Sequence, residues 1–376
     1  MQKYEAAMDK GLEGVVACST SVSSIVDATL LYRGFAIEDL AKNSSFEEVI
    51  FLLWNNKLPN KEELQSLQQN LLSNMSFSDK EILQLKTLPI KGVHPMAWLR
   101  TAVSVLSLLD LKSQSTKKED QLFIRNSLTG KMLSLVALLN CIREGRDLLP
   151  IQKEYSMAWN FLNSLQGKEP TDEQVKVFDT CLILHADHSL NCSTFTARVT
   201  ASSLSDIYSS IVSAIGALKG PLHGGANEEV LKTLKEIGST KNVEPWLQNS
   251  LKNKYKIMGF GHRVYKNGDP RAKILKSMSK SLCEKSGDSN LFEMSNLLEE
   301  LMKKEKNILP NVDFYSATVY NSLGILSDLF TPIFAASRVS GWLAHVLEQW
   351  EQNRIYRPKG QWKGKINQLW KPFDQR

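Results

Sequence analysis

Apolar residues recur at helical spacing along most of the chain, and the alternation typical of strands is scarce. Residues 94–110 and 126–142 are long segments of this kind. Ser45 and Ser78 each stand three residues before a glutamate, a spacing that predicts a capping box at the start of a helix. The pattern therefore predicts an all-α protein.

Weak strand signals are confined to residues 15–35, which allow a small hairpin or two short strands near the N-terminus. The chain has 376 residues, a length that favours two domains. Residues 216–225 are rich in Gly and Pro, and glycines serve as hinges, so this segment is the best candidate for a domain boundary.

Composition places few limits on function. Hydrophobic residues make up 42% of the chain and charged residues 23%, as in ordinary globular proteins. The formal net charge of +6 slightly favours small anionic ligands and gives no support for a nucleic-acid partner. Five scattered cysteines without a C-x-x-C motif indicate reduced thiols. The N-terminus lacks a secretion signal, and no apolar run predicts a membrane span, so we expect a cytoplasmic protein without a membrane partner.

The strongest metal candidate fails on geometry. Thr171 caps a helix predicted to continue through His188, and Cys181, His185, His188 and Cys192 would share its face. On a straight helix the outer two residues would stand roughly 16 Å apart, whereas all four ligands of a zinc ion lie within about 2.3 Å of the metal. A helix face packed inward is the better interpretation, and no metal is predicted.

Three residues have settings suited to acid–base chemistry. His223 lies beside two glycines ahead of a predicted helix, where the helix dipole favours a neutral ring that donates a hydrogen bond to an oxyanion. His262 also lies among glycines, which let a ligand approach the backbone. Asp313 lies in an apolar-aromatic stretch, which raises the pKa of a carboxyl group and suits a general base. Structural roles are also open to them, as turn histidines and a helix N-cap.

Three arginines are candidates for binding a polycarboxylate, because the guanidinium fork binds carboxylates through two hydrogen bonds. Arg271 opens a helix after Asp269-Pro270, Arg338 lies in an apolar helix, and Arg357 precedes a proline near the C-terminus. Each taken singly also fits a structural ion pair. His345, on the helix of Arg338, is assigned a structural role.

Five separated segments, in this order, resemble the signatures of the citrate synthase family: LHADHSLNCSTFTAR, GPLHGGANEEV, MGFGHRVYKNGDPRAK, NVDFYSA and FTPIFAASRVSGWLAHVLEQ, followed by RPKG. The resemblance extends from residues 11–14 to residues 357–359 and is closest to the short bacterial and archaeal form. It implies an almost entirely helical homodimer. A large domain would comprise residues 1–219 and 327–376, a small domain residues 220–326, and the active site would lie in the cleft between them.

The resemblance also implies a role for each matching residue. Asp313 would remove a methyl proton from acetyl-CoA, His223 would stabilise the enolate, and His262 would polarise the ketone of oxaloacetate. Citryl-CoA would then hydrolyse to citrate and CoA. Oxaloacetate would be held by His188, Arg271, Arg338 and Arg357, the last donated by the partner subunit. The CoA site would include Ile257, Met258, Gly259, Phe260, Gly261 and Lys266.

No cofactor is predicted, because acetyl-CoA is a substrate. A 2-methylcitrate synthase, which uses propionyl-CoA, shares every catalytic motif, and one methylene is worth only about 1–3 kcal/mol of discrimination.

Two further hypotheses assign the chain to a different class of protein. A helical binding protein that keeps the fold predicts loss of at least one of the three catalytic residues, and a metal-binding module predicts bound zinc. Arg263 has no assigned role.

Overall fold

The computed structural model describes residues 10–12, 14–262, 264–265, 268–286 and 289–376. Within these ranges the protein is almost entirely helical, which confirms the predicted fold class. The helices are α1 Ile37–Asn43, α2 Phe46–Asn55, α3 Lys61–Ser73, α4 Asp79–Lys86, α5 Pro95–Leu109, α6 Lys118–Glu144, α7 Met157–Gln166, α8 Asp172–His185, α9 Cys192–Ser202, α10 Ile207–Leu218, α11 Ala226–Ile237, α12 Thr240–Lys252, α13 Pro270–Ser286, α14 Asn290–Lys306, α15 Val312–Ser322 and α16 Phe330–Glu351.

A small antiparallel sheet near the N-terminus confirms the predicted minor β structure. Its strands are β1 Ser23–Val26, β2 Thr29–Tyr32 and β3 Phe35–Ala36, in the order β1-β2-β3. Asp27 and Ala28 turn the chain between β1 and β2, both with positive φ, which is the geometry of a tight hairpin. The sheet presents Ser23 and Tyr32 to the turn that follows α8.

Local sequence signals set several helix starts. Ser45 and Ser78 both form capping boxes, with Glu48 and Glu81, as their spacing predicts. The predicted extent of α8 is wrong, because the helix ends at His185 and residues 186–191 form a turn before α9. The turn is held by tertiary hydrogen bonds that no local signal encodes.

The core is built around α16, where nearly every residue from Phe330 to Val346 is buried. This helix packs against α2, α5, α6, α8, α9, α10 and α11. In the described ranges α6 is the one helix long and apolar enough to cross a membrane, in contrast with the sequence-based expectation of none. Of its most apolar window, 78% is buried inside the protein, as in a central core helix.

Helices α11 to α15 form a group of mutual contacts. The closest packing joins α13 to α15, α11 to α15, and α12 to α14. This group corresponds to the predicted small domain at residues 220–326, and it meets the rest of the molecule where α11 contacts α16 and where α13 contacts α1 and α8. The division into two domains remains a prediction.

Candidate active site

The turn after α8 is held in place from three sides. The Tyr32 hydroxyl accepts a hydrogen bond from the Asp187 N–H (3.0 Å) and lies 2.8 Å from the Asp187 carbonyl oxygen. The buried Asp187 carboxylate accepts hydrogen bonds from the Ser23 hydroxyl and from His345 Nε2 (3.1 Å). His345 therefore has the structural role predicted for it. These contacts fix the backbone that presents His188, which is 8% exposed.

His223 faces the first turn of α9. Its Nε2 accepts a hydrogen bond from the Ser193 N–H (3.2 Å) and lies 2.8 Å from the Ser193 hydroxyl oxygen. Since a backbone N–H can only donate, the proton of the neutral ring is on Nδ1. Burial, with a smaller contribution from Arg338, lowers the pKa of His223 to about 4. His223 is therefore a neutral imidazole with Nδ1–H as its donor.

His262 has the opposite tautomer. Its Nδ1 accepts hydrogen bonds from the backbone N–H groups of Val264 (3.0 Å) and Tyr265 (3.3 Å), which places the proton of the neutral ring on Nε2. Burial, followed by the positive charge of Arg271, lowers the pKa of His262 to about 4. Each of the two predicted catalytic histidines thus has one nitrogen fixed by backbone and one N–H to donate.

Asp313 is not the N-cap of its helix, so the interpretation of this residue as a cap is wrong. Asn311 caps α15, and its side-chain oxygen accepts from the Asp313 N–H (3.0 Å). Oδ1 of Asp313 is buried and has no hydrogen-bond partner among the described residues. Burial raises the pKa of Asp313 to about 7, although Arg271 and Arg338 oppose the rise. A carboxyl group with this pKa is suited to general-base catalysis at neutral pH.

Arg271 is held by a carboxylate two residues before it. Asp269 accepts hydrogen bonds from Arg271 Nε (2.9 Å) and Nη2 (2.7 Å), and both side chains are almost fully buried. Asp269 also accepts from the backbone N–H of Val312, at the start of the helix that carries Asp313. The pair therefore fixes the start of α13 relative to the start of α15.

Arg338 is buried without such a partner. It is 1% exposed, its Nε donates to the His185 carbonyl (2.6 Å), and its guanidinium lies 4.6 Å from the centroid of the Phe334 ring. None of the ion pairs found among the described residues includes Arg338. Burial lowers the pKa of Arg338 to about 10, which still leaves the side chain charged. An anionic ligand would supply the ion-pair partner that Arg338 lacks among the described residues.

The predicted residues act on one another electrostatically. Arg338 lowers the pKa of His188, His223 and Asp313, and Arg271 lowers that of His188 and Asp313. The ring centroids of His188 and His262 are 5.0 Å apart. The fold therefore brings together two buried cations, neutral histidines and one unpaired carboxyl group, a combination suited to binding an anion and removing a proton.

The predicted CoA segment is an irregular stretch beside α15. The Gly259 carbonyl accepts from the Asn311 N–H (2.9 Å), and the Gly261 N–H donates to the Leu309 carbonyl (2.9 Å). Gly259 has φ of 82°, and a Cβ there would lie 2.6 Å from Val230 Cγ2, so no side chain fits. These hydrogen bonds occupy part of the backbone predicted to bind CoA. Ile257, Met258 and Phe260 are half-buried next to it.

A pocket of about 200 Å³ adjoins this segment and His262. Its lining includes Gly261, Tyr265 and Asp269. Lys266 and Arg263 lie outside the described residues.

Arg357 is not brought to the site within one chain. It is exposed, and its Nη1 donates to the carbonyl of the adjacent Pro358 (2.7 Å). The segment that carries it follows α16 and contains no α-helix. A single chain therefore supplies two of the three arginines predicted to bind carboxylates.

Comparison with known proteins agrees with this geometry. The family model described as citrate synthase, C-terminal domain, matches residues 11–359. The chain is 53% identical to citrate synthase 2 of Bacillus subtilis over 98% of this chain and 99% of that protein. The chain belongs to the citrate synthase family. The family and the enzyme class predicted from the sequence are thereby confirmed.

Two further relatives bear on the choice of substrate. The chain is 39% identical to 2-methylcitrate synthase 2 of Corynebacterium glutamicum over 98% of this chain and 97% of that protein. The structure of citrate synthase from Thermoplasma acidophilum, a ternary complex with carboxymethyl coenzyme A and oxaloacetate, superposes with a TM-score of 0.90 at 33% identity. The match covers 97% of this chain and 98% of that one.

The candidate metal cluster does not form. Cys181 and His185 are buried in α8, His188 lies in the turn, and Cys192 is exposed at the start of α9, so the four side chains share no helix face. Across the described part of the chain, no group of three or more His, Cys, Asp or Glu side chains is arranged to hold a metal ion.

Sequence reasoning missed three contacts that shape the site in this citrate synthase family member. Ser193 contacts the ring of His223 across 30 residues, and Phe334 covers the guanidinium of Arg338 from one turn away on α16. Asp269, named from the sequence only as the residue before Pro270, binds Arg271. The Asp-x-Arg spacing is a local signal that pointed to this pair, whereas nothing local indicates Ser193.

The unpaired charge of Arg338 leads to a prediction about stability. We expect Arg338→Met to leave the melting temperature of the ligand-free protein unchanged or higher, because burial of a charge that has no ion-pair partner costs free energy. A ligand at 100 times its Kd stabilises a protein by about 2.7 kcal/mol, so oxaloacetate at saturation should raise the melting temperature of the wild type and not of this variant.

Arg125→Met is the matched control. Arg125 is half-buried and likewise lies over an aromatic ring, 3.9 Å from the centroid of Trp54, but it belongs to α6. This variant should keep the full thermal shift with oxaloacetate. A full shift in Arg338→Met as well would contradict a role of Arg338 in anion binding.

Proposed function

We propose that this protein condenses acetyl-CoA with oxaloacetate and water to give citrate and CoA. Removal of a proton from the methyl group of a thioester needs a base and an oxyanion partner at the same time. The observation that carries the proposal is the Asp313 carboxyl group, whose Oδ1 is buried without a partner among the described residues and whose pKa is raised to about 7. Membership of the citrate synthase family supports the same reaction.

In this proposal Asp313 removes the methyl proton while His223 stabilises the enolate. The neutral ring of His223 donates its Nδ1–H to the thioester oxygen, and Ser193 holds its other nitrogen. A donor already fixed in place needs no reorganisation when negative charge develops on that oxygen, which is the advantage of a preorganised site.

His262 polarises the ketone of oxaloacetate through Nε2–H and protonates the alkoxide that forms. His188, Arg271 and Arg338 bind the carboxylates, with Arg357 supplied by a second subunit. Residues 257–261 and Lys266 are proposed to bind CoA. The Thermoplasma acidophilum relative, which was determined with oxaloacetate and a coenzyme A derivative, supports this substrate pair.

The acyl donor is tested by CoA release. With oxaloacetate present, we expect acetyl-CoA to give at least a roughly tenfold higher kcat/KM than propionyl-CoA, measured as free thiol released. A preference for propionyl-CoA would instead support 2-methylcitrate synthesis, as in the Corynebacterium glutamicum relative. Release with neither donor would contradict the proposed enzyme activity.

The base assignment predicts a pH dependence. Asp313 must be ionised to accept a proton, so kcat/KM for acetyl-CoA should fall about tenfold per pH unit below pH 7. His223 and His262, with pKa values of about 4, should add no further loss between pH 5 and pH 7.

The same assignment predicts the effect of a substitution. Asp313→Asn should lose roughly 1000-fold or more in kcat yet keep the thermal shift with oxaloacetate. A flat pH profile down to pH 5, or turnover by the variant, would contradict the assignment.

We further propose that the protein is a cytoplasmic homodimer. The tail after α16 exposes large apolar side chains that one chain leaves uncovered, such as Trp362 (72% exposed), Trp370 (79%) and Phe373 (86%). A second copy that covers this tail would also bring Arg357 to the site of its partner. The five cysteines are free thiols, in keeping with a reducing compartment.

Subunit mixing tests the donation of Arg357. Arg357→Gln and Asp313→Asn homodimers should each be nearly inactive. Mixed dimers should regain activity, because one of their two sites then combines an intact Asp313 with an intact Arg357; a random mixture should reach about a quarter of wild-type activity. No recovery after verified subunit exchange would show that Arg357 serves the site of its own chain and would contradict its donation to the partner.

A further inference from the structure

Tyr265 contacts both histidines on the oxaloacetate side of the proposed site. Its backbone N–H donates to His262 Nδ1 (3.3 Å), and its hydroxyl lies 3.2 Å from His188 Nε2. The ring centroid of Tyr265 lies 4.6 Å from that of His262 and 5.6 Å from that of His188. One residue therefore connects a loop that precedes α13 with the turn after α8, which are separated by 77 residues along the chain.

The hydroxyl of Tyr265 is buried next to His188. The side chain is 3% exposed, and His188 is the partner of its hydroxyl in the described part of the chain. Buried phenol groups donate a hydrogen bond wherever an acceptor is in reach. Either group can donate in this contact, and donation by the hydroxyl to Nε2 of His188 places the ring proton of His188 on Nδ1.

We infer that Tyr265 is a positioning residue for oxaloacetate binding, which holds the ring and the tautomer of His188 through its hydroxyl. This inference rests on the proposed function, because it assigns His188 to the oxaloacetate site. Without the hydroxyl, the neutral ring of His188 is free to rotate and to exchange its proton between the two nitrogens. Oxaloacetate then has to order the ring on binding, which weakens its affinity.

Tyr265→Phe removes the hydroxyl and keeps the ring. We expect KM for oxaloacetate to rise about fivefold, the loss that corresponds to one hydrogen bond of about 1 kcal/mol. KM for acetyl-CoA should not change, kcat should change less than about threefold, and the ligand-free melting temperature should stay within about 2 °C. Equal loss in both KM values together with a large fall in melting temperature would instead indicate a merely structural role and overturn the inference.

A double-mutant cycle shows whether Tyr265 acts through His188. In a His188→Ala background, Tyr265→Phe should change KM for oxaloacetate less than about twofold. The same rise in both backgrounds would show that the hydroxyl acts independently of His188 and would overturn the inference. Tyr208→Phe is the matched control: Tyr208, in α10, is also buried, and its hydroxyl donates to Oδ2 of Asp110 (2.8 Å), the residue that follows α5. It should leave both KM values unchanged.

A measurement on the wild type does not depend on the folding of a variant. In protein labelled with ¹⁵N-histidine, the ring nitrogens of His188 should show one fixed tautomer with Nε2 unprotonated. Averaged nitrogen shifts, or a protonated Nε2, would overturn the inference. CoA release by the wild type is measured first, since its absence would contradict the proposed function and leave the tautomer result as the separate test of the Tyr265 contact.

Discussion

The site depends on Arg338, whose guanidinium is buried without an ion-pair partner among the described residues. Arg338 lies in the middle of α16, around which the core is built; its Nε donates to one carbonyl oxygen and its guanidinium lies over one aromatic ring. The Asp187 carboxylate forms no ion pair with it but opposes the fall in the pKa of Arg338 that burial causes. A buried charge without an anion costs free energy. In the proposed function an anionic substrate offsets this cost on binding. The same charge lowers the pKa of His188, His223 and Asp313.

Arg271, in contrast to Arg338, is buried together with a carboxylate. Asp269 neutralises it and takes up two of its three nitrogens, so this cation costs little to bury and is rigidly oriented. The same carboxylate also binds the first turn of α15. Asp269 thus links Arg271, which is proposed to bind oxaloacetate, to the helix that carries Asp313, the proposed base, and we expect a change at Asp269 to affect both.

Backbone N–H groups set the tautomers of the two histidines, His223 and His262. Ser193 fixes His223 with a proton on Nδ1, whereas Val264 and Tyr265 fix His262 with a proton on Nε2. Because burial keeps both rings neutral, neither competes with Asp313 for a proton at physiological pH. The proposed roles of one base and two hydrogen-bond donors agree with these few contacts and with the burial of the two rings.

The sequence alone determined the helical class, the capping boxes at Ser45 and Ser78, and the identity of the chemical groups, because each depends on residues within one turn or on a motif. It also allowed Asp313 to be either base or cap, extended α8 to His188, and left His188 without a partner. Tertiary structure decided these points. Asn311 took the capping position, the sheet held the turn at Asp187, and Tyr265 contacted His188 in that turn from 77 residues away. Contacts between distant segments depend on how helices pack, and no local pattern records that packing.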